Sequence, residues 1–227
     1  MTKSLAKLDG HEANSILTTM RQKHAKDFPV RGTEASGKVF IVFDCSISMN
    51  GDKIQEGKKG AQAFAGKAFD SGYAVGLVSF STQAQLRCPV TLIPLTIINA
   101  IEALQPDGWT NLAAGIQKAT EYLGPSGPRS MVIVTDGYPC TGPVGLPWGN
   151  TEAKKAKSAA AAAKSMGIDI ITIGTNDADT KLLAKIASRN DLAMVTNDSQ
   201  LGNAIVDAAR LLPSVASPET LLPGGRE

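Results

Sequence analysis

Residues 39–48 read VFIVFDCSIS, an unbroken apolar run that ends at Asp44. Several apolar residues in succession, without polar alternation, are typical of a parallel strand that helices cover on both faces. Beyond Asp44 the chain becomes polar, and Gly51 gives it the freedom to turn into a following helix. The stretch therefore predicts a strand, a polar turn and a helix, which is the repeating unit of an α/β sheet.

The same alternation of strand and helix patterns runs through the rest of the chain. Further strands are predicted at residues 73–81, 84–90, 131–135, 168–174 and 193–196, and helices at 52–69, 96–104, 112–123, 151–166, 179–189 and 199–211. The tight connection before the strand at 84–90 favours an antiparallel edge hairpin. We therefore expect an α/β fold with a doubly wound, mostly parallel six-stranded sheet, one antiparallel edge strand and helices on both faces. Ligands of such sheets bind beyond the carboxyl ends of the strands.

Three segments differ in pattern along the chain. A weak helical pattern at residues 12–27 stops before Pro29, so we assign residues 1–35 to an N-terminal helical extension and linker. Residues 36–212 carry the alternation of strands and helices and form the predicted domain. Residues 213–227 are rich in Pro and Gly and predict a disordered tail.

The composition argues against nucleic acid and membrane partners. The formal net charge is only +2 and the basic residues form no concentrated block, so no nucleic-acid surface is indicated. Four lysines of the predicted helix at 52–69 are assigned to its solvated face: Lys53, Lys58, Lys59 and Lys67. No apolar run approaches the roughly 18 to 20 residues that would span a bilayer.

The N-terminus and the cysteines indicate the cytoplasm. Residues 1–20 are polar and lack the apolar core and the cleavage site of a signal peptide. The three cysteines are odd in number and show no CxxC spacing, so neither a disulfide framework nor a zinc site is expected. Cys45, Cys88 and Cys140 are interpreted as small buried residues.

The polar turn after the first predicted strand places oxygen side chains at Asp44, Ser46 and Ser48. Alternate side chains of an extended chain point the same way, so these three can converge beyond the strand end. Asp and Ser are also common in turns and at helix N-caps, and for this string alone capping is the simpler explanation.

Two further segments carry oxygen ligands of the same kind. Thr110 lies in the stretch DGWTNL at residues 107–112, where an N-cap of the next helix is the alternative role. Asp136 ends a wholly apolar strand in the stretch VTDG at residues 134–137, where a turn or cap is again the alternative. Burying a carboxylate beside such an apolar strand costs free energy unless the carboxylate has a polar or charged partner.

Together these three segments resemble the metal-ion-dependent adhesion site of von Willebrand factor type A domains. The resemblance covers about residues 36–212 and implies a Rossmann-like sheet. It also implies a metal held by five residues: Asp44, Ser46, Ser48, Thr110 and Asp136. Ligands that are all oxygen select hard cations, so we expect Mg²⁺, with Mn²⁺ or Ca²⁺ as alternatives.

The resemblance further implies binding of a partner protein through an Asp or Glu carboxylate that reaches the metal. Ile47 and Trp109 stand where many family members have Gly, and they either narrow the choice of partner or serve local packing. The loop at 139–147, with Tyr138 and Trp148, is predicted to line the same rim. By family analogy we expect an adaptor in an intracellular complex, for example with an AAA+ ATPase.

Other functions fit the sequence less well. Residues 32–38 match part of a phosphate-binding P-loop, but they precede a strand and lack the following Ser or Thr. Both histidines, His11 and His24, lie far in sequence from the site, which argues against Ser–His–Asp catalysis. We therefore expect a protein that is not an enzyme. The alternatives are a Mg²⁺- or Mn²⁺-dependent phosphoester hydrolase, which lacks an evident general base, and an extracellular adhesion domain.

Overall fold

A computed structural model describes residues 35–141 and 149–215, without the side chains of residues 149 and 150. The predicted helix at 12–27, residues 142–147 of the predicted rim loop and Trp148 lie outside these ranges. Residues 213–215 of the predicted disordered tail lie inside the described ranges. Pro213 contacts the domain, because the Tyr73 hydroxyl donates a 2.6 Å hydrogen bond to the Pro213 carbonyl oxygen. The partly buried Val215 also packs against the core.

Six strands form one sheet in the order β3-β2-β1-β4-β5-β6. They are β1 (Gly37–Asp44), β2 (Tyr73–Phe80), β3 (Ala84–Thr91), β4 (Arg129–Thr135), β5 (Ile168–Thr175) and β6 (Ala193–Thr196). All neighbouring pairs are parallel except β2 and β3, which are antiparallel. This arrangement confirms the expected mixed, doubly wound sheet and its antiparallel edge.

The helices divide between the two faces of the sheet. They are α1 (Asp52–Asp70), α2 (Pro94–Glu102), α3 (Leu112–Leu123), α4 (Gly149–Ser165), α5 (Thr180–Ile186) and α6 (Leu201–Ala208). Helices α1, α2 and α6 contribute to one apolar core cluster, and α3, α4 and α5 contribute to the other. Within the described ranges, no helix combines the length and apolar character that crossing a membrane requires.

Strand β1 lies at the centre of this sandwich. Val39, Ile41 and Phe43 face the first core cluster, whereas Phe40 and Val42 face the second, and none of the five is exposed to solvent. Burial on both sides is the reason that the strand shows no polar alternation in sequence.

Helices α1 and α6 pack closely because each presents glycine at the contact. A Cβ atom built on Gly60 would lie 2.6 Å from the carbonyl oxygen of Gly202 and 2.7 Å from its Cα atom. Only glycine permits this approach of two backbones. The contact holds α1 directly against α6.

The prediction that four lysines of α1 lie on its solvated face is wrong for two of them. Lys58 is buried, and its ammonium donates a 2.8 Å hydrogen bond to the carbonyl oxygen of Glu102 at the end of α2. A cation is favourable there because the last carbonyls of a helix have no partner within it. Lys53 points to the carboxyl edge of the sheet, as described below.

The order of the strands reverses between β1 and β4. The chain leaves β1 towards β2 and β3 on one side, and after β4 it continues to β5 and β6 on the other. The neighbouring carboxyl ends of β1 and β4 leave a crevice at such a reversal, which is where doubly wound sheets bind ligands. Asp44 and Asp136 stand at these two strand ends.

Candidate metal centre

Asp44 is fully buried at the carboxyl end of β1. Its Oδ1 atom accepts a 2.7 Å hydrogen bond from the backbone amide of Ser46, and its Oδ2 atom accepts one from the hydroxyl of Thr135 at the end of β4. Burial raises the pKa of Asp44 to about 7, although the hydrogen bonds from Ser46 and Thr135 oppose this shift. A nearby positive charge would favour the ionised form of this buried carboxylate.

The chain beyond Asp44 does not stay extended, contrary to the geometry assumed from sequence. Ile47–Met49 form a 3₁₀ turn, which closes through a 3.0 Å hydrogen bond from the Met49 amide to the Ser46 carbonyl. The turn still brings the hydroxyls of Ser46 and Ser48 to 3.0 Å from each other. The two serines therefore converge through a tight turn and not through the alternation of a strand.

Asp136 follows β4 and is buried beside this turn. The Ser48 hydroxyl donates a 2.8 Å hydrogen bond to its Oδ1 atom, and the Lys53 ammonium donates a 2.8 Å hydrogen bond to its Oδ2 atom. Asp44 and Asp136 thus belong to one polar cluster that includes both serines. Asp136, which follows a buried apolar strand, therefore has the polar partners that a buried carboxylate requires.

Thr110 is not the N-cap of the following helix. Asn111 caps α3, because its side-chain oxygen accepts a 3.2 Å hydrogen bond from the amide of Ala114. The backbone of Thr110 pairs with Cys140 through two hydrogen bonds of 2.9 and 3.0 Å. Its hydroxyl oxygen would lie 3.5 Å from a Cβ atom on Gly137, and the Ser48 hydroxyl would lie 3.6 Å from the same point.

The Thr110 hydroxyl therefore borders the same space as Ser48. Thr110 is buried as a residue, but its hydroxyl is not one of the buried side-chain oxygens without a hydrogen-bond partner, which in the described part of the chain are those of Ser130 and Thr175. The position beside Ser48, together with the cap that Asn111 supplies, fits a ligand role for Thr110 better than a capping role.

Lys53 is a site residue that sequence reasoning missed. Besides Asp136, its ammonium pairs with Asp177 at 3.2 Å and with Asp198 at 3.6 Å. Burial lowers the pKa of Lys53, but the hydrogen bond and charge of Asp136 raise it more, so the net shift is upward. Its position in the first turn of α1, directly after the polar turn, is the signal that could have placed it here.

The rim of the site carries apolar side chains that face solvent. Ile47 and Tyr138 are exposed and Trp109 is half-buried. Because the Ile47 side chain is exposed, local packing does not explain why isoleucine stands at this position. The Trp109 amide donates a 3.1 Å hydrogen bond to the hydroxyl of Thr82, which fixes the backbone beside Thr110.

The donor chemistry of the cluster suits a hard divalent cation. In the part of the chain that the structure describes, no three His, Cys, Asp or Glu side chains come together as a metal cluster. The donors here are two carboxylates and three hydroxyls, which together supply two negative charges when both acids are ionised. Oxygen donors of this kind fit Mg²⁺, Ca²⁺ or Mn²⁺ and do not select zinc or copper.

The family model described as "von Willebrand factor type A domain" matches residues 38–208. The chain belongs to this family. The match spans all six strands and the three segments that form the cluster. None of the curated protein sequences compared with this chain matches it.

Several solved structures share the fold at low sequence identity. The vWF domain of the type V pili tip protein Mfa5 from Porphyromonas gingivalis is 16% identical, with a TM-score of 0.69 over 86% of this chain and 99% of that chain. Proximal thread matrix protein 1 from the mussel byssus is 19% identical, with a TM-score of 0.62 over 77% of this chain.

A third similar structure is the conserved hypothetical protein BatB from Bacteroides thetaiotaomicron, 18% identical with a TM-score of 0.59 over 77% of this chain and 98% of that chain. The chain spans only 45% of the mussel protein. At these identities the likeness shows the fold alone, so the function must be argued from the site.

Proposed function

We propose that this chain is a metal-dependent protein-interaction module with an intact metal-ion-dependent adhesion site. In this proposal Mg²⁺, or Mn²⁺ or Ca²⁺ in its place, is held directly or through water by the five residues of the cluster: Asp44, Ser46, Ser48, Thr110 and Asp136. The observation that carries the proposal is the convergence of these oxygen side chains, from three separate segments, at the carboxyl ends of β1 and β4.

The protein groups have distinct roles in this proposal. Asp44 and Asp136 balance the charge of the ion, and the hydroxyls of Ser46, Ser48 and Thr110 orient it without adding charge. A divalent ion held this way supplies an electrophilic open position that a carboxylate can take. Ser48 is exposed, whereas Asp44, Thr110 and Asp136 are buried, so the partner approaches from the side of Ser48.

The partner in this proposal is a protein that offers an Asp or Glu side chain. The family resemblance suggests an intracellular complex in the cytoplasm, with an AAA+ ATPase as one candidate partner. The alternative setting is an extracellular adhesive role. Fractionation of the native cell distinguishes the two settings.

Binding is proposed in preference to hydrolysis because the proposal assigns both carboxylates of the cluster to the ion, which leaves neither to act as a general base. Asp44 accepts two hydrogen bonds, and Asp136 accepts hydrogen bonds from Ser48 and Lys53. A hydrolase needs a base that is free to take a proton from water. Turnover of phosphoesters with Mg²⁺ or Mn²⁺ that Asp136→Asn abolishes would contradict the proposal.

The decisive experiment is affinity capture from the native cell with Mg²⁺ and with EDTA, using wild type and Asp44→Asn. Asn keeps the volume of the buried side chain and removes its charge. We expect the captured partner to be lost with EDTA and with the variant, while circular dichroism shows that both proteins are folded. Equal capture under all conditions would overturn the proposed function.

A further inference from the structure

The turn between β2 and β3 lies against the loop that carries Thr110. The Thr82 hydroxyl accepts a 3.1 Å hydrogen bond from the amide of Trp109, and the Thr82 carbonyl oxygen accepts a 3.2 Å hydrogen bond from the side-chain amide of Asn111. The backbone amide of Asn111 also donates a 2.8 Å hydrogen bond to the carbonyl oxygen of Ser81. The residues on both sides of Thr110 are therefore bound to the same hairpin turn.

Gly108 allows the hairpin turn to approach this loop so closely. Its φ angle is +69°, and a Cβ atom built on it would overlap the hydroxyl oxygen of Thr82. Any other residue would be strained at this position and would also displace the Thr82 hydroxyl. The carbonyl oxygen of Gly108 accepts a 3.1 Å hydrogen bond from the Ile47 amide, so the same loop also contacts the 3₁₀ turn of the site.

Further support for Thr110 comes from the chain beyond β4. The amide and the carbonyl oxygen of Thr110 pair with the backbone of Cys140 at 2.9 and 3.0 Å. Cys140 belongs to the segment that follows Asp136, so this pairing joins two of the segments that carry site residues. Thr82 adds a connection of a different kind, because it ties the Thr110 loop to the hairpin at the edge of the sheet.

We infer that Thr82 is a positioning residue for the metal site and acts through Thr110. Thr82 does not touch the ion in this inference, but fixes the backbone that carries the Thr110 hydroxyl. Groups that orient a metal ligand in this way raise the affinity for the metal. The inference rests on the proposed function, because Thr110 is taken to hold the ion, and it assigns a role in the site to the antiparallel edge hairpin.

The test is calorimetric titration of Mg²⁺ into the full chain and its variants at position 82. Thr82 is exposed, so Thr82→Val should remove the hydroxyl and leave the chain folded. We expect Mg²⁺ to bind this variant roughly fivefold to tenfold more weakly than wild type, as the loss of one orienting hydrogen bond implies. Thr82→Ser keeps the hydroxyl and should bind Mg²⁺ with the affinity of wild type.

Thr91→Val is the matched control at the other end of β3. The Thr91 hydroxyl also accepts a hydrogen bond from a backbone amide, that of Ile93, at 3.0 Å. Thr91 pairs with Val75 near the start of β2, whereas the site lies at the carboxyl ends of the parallel strands. Thr91→Val should therefore leave the Mg²⁺ affinity unchanged.

A double-mutant cycle separates positioning of Thr110 from a general effect on the fold. The Mg²⁺ affinity of the double variant Thr82→Val, Thr110→Val is compared with that of Thr110→Val alone. If Thr82 acts through Thr110, adding Thr82→Val to Thr110→Val should cause no further loss of affinity. A purely structural role would weaken Mg²⁺ binding by the same factor in both backgrounds.

Each result supports or overturns the inference. An unchanged Mg²⁺ affinity in Thr82→Val, or an equal loss in Thr91→Val or Thr82→Ser, overturns it and leaves the proposed function standing. Equal losses in the two backgrounds of the cycle also overturn it, because Thr82 would then act independently of Thr110. A wild-type chain that binds none of Mg²⁺, Mn²⁺ and Ca²⁺ overturns the proposed function and this inference with it.

Discussion

At the scale of single residues, Asp44 has the most testable chemistry. Burial raises its folded-state pKa to about 7, whereas its ordinary value is 3.8. Between about pH 4 and pH 7 the folded, metal-free protein therefore binds more protons than the unfolded chain. The contribution of Asp44 to the free energy of unfolding decreases as the pH rises through this interval and is constant above it.

Asp44→Asn should remove this pH dependence. In EDTA, the melting temperature of the variant minus that of wild type should increase between pH 5 and pH 8, as measured by differential scanning calorimetry. With Mg²⁺ at pH 8, wild type should gain stability and the variant should not, because a bound ion stabilises only the folded state. A melting-temperature difference that is the same at both pH values would show that Asp44 is not the titrating group.

Lys53 provides a second prediction at this scale. Its ammonium is bound to Asp136 and opposes a divalent cation at the same carboxylate. Lys53→Met keeps most of the aliphatic stem, removes the charge, and leaves Asp136 without its cation. We expect the Mg²⁺ affinity to rise roughly tenfold while the metal-free protein becomes less stable, because both effects follow from loss of a nearby positive charge.

Lys59→Met is the matched control for Lys53→Met. Lys59 lies on the same helix, and its ammonium pairs with Glu56, at 2.8 Å, on the surface. It should leave the Mg²⁺ affinity unaltered in calorimetric titrations. An unchanged or weaker affinity in Lys53→Met would mean that Lys53 supports the site and does not compete with the ion.

At the scale of elements, α1 offers two glycines with opposite expectations. Gly60 meets the backbone of Gly202, whereas a Cβ atom on Gly66 would have no neighbour within 4 Å. Gly60→Ala should lower the free energy of unfolding by about 1–3 kcal/mol through overpacking. Gly66→Ala should raise it by roughly 0.5–1 kcal/mol through helix propensity. Urea unfolding measures both changes, and a destabilising Gly66→Ala would contradict the account of this contact.

The elements themselves follow largely from the sequence. The helix at 112–123 and the strand at 193–196 have the predicted bounds, because apolar periodicity and local chemistry agree there. The predicted helix at 199–211 is in fact α6 flanked by two 3₁₀ turns, Asp198–Gln200 and Ala209–Leu211. Helical periodicity does not distinguish these tighter turns from an α-helix.

The site was less fully predictable, for a geometric reason. The spacing of Asp44, Ser46 and Ser48 indicated their convergence, but the 3₁₀ turn that achieves it has no strong sequence signal. The sequence predicts an exposed Lys53, because periodicity shows which face of a helix is polar. Periodicity does not show how the first turn of the helix is oriented relative to the edge of the sheet. Asn111, one residue beyond Thr110, was the true cap, and neighbouring cap candidates are not separable by sequence alone.

At the scale of the whole molecule, the reversal of strand order brings the residues of the polar cluster together. It places the ends of β1 and β4 side by side, so that Asp44 and Asp136, far apart in sequence, share one polar cluster. Proteins only 16–19% identical to this chain keep the same fold. The fold therefore supplies the crevice, and what binds there depends on the side chains around it.

The measurement that tests the central claim most directly is calorimetric titration of Mg²⁺ into the full chain, comparing wild type with Thr110→Val and Thr120→Val. The pairing of Thr110 with Cys140 uses backbone atoms only, so Thr110→Val should leave the fold intact. The Thr120 hydroxyl donates a 2.8 Å hydrogen bond to the carbonyl oxygen of Ile116 within α3.

The account predicts one Mg²⁺ per wild-type chain, the same affinity in Thr120→Val, and an affinity roughly tenfold to a hundredfold weaker in Thr110→Val. Absence of Mg²⁺ binding by wild type, with Mn²⁺ and Ca²⁺ equally inert, would contradict it. Binding by Thr110→Val with the affinity of wild type would remove Thr110 from the site.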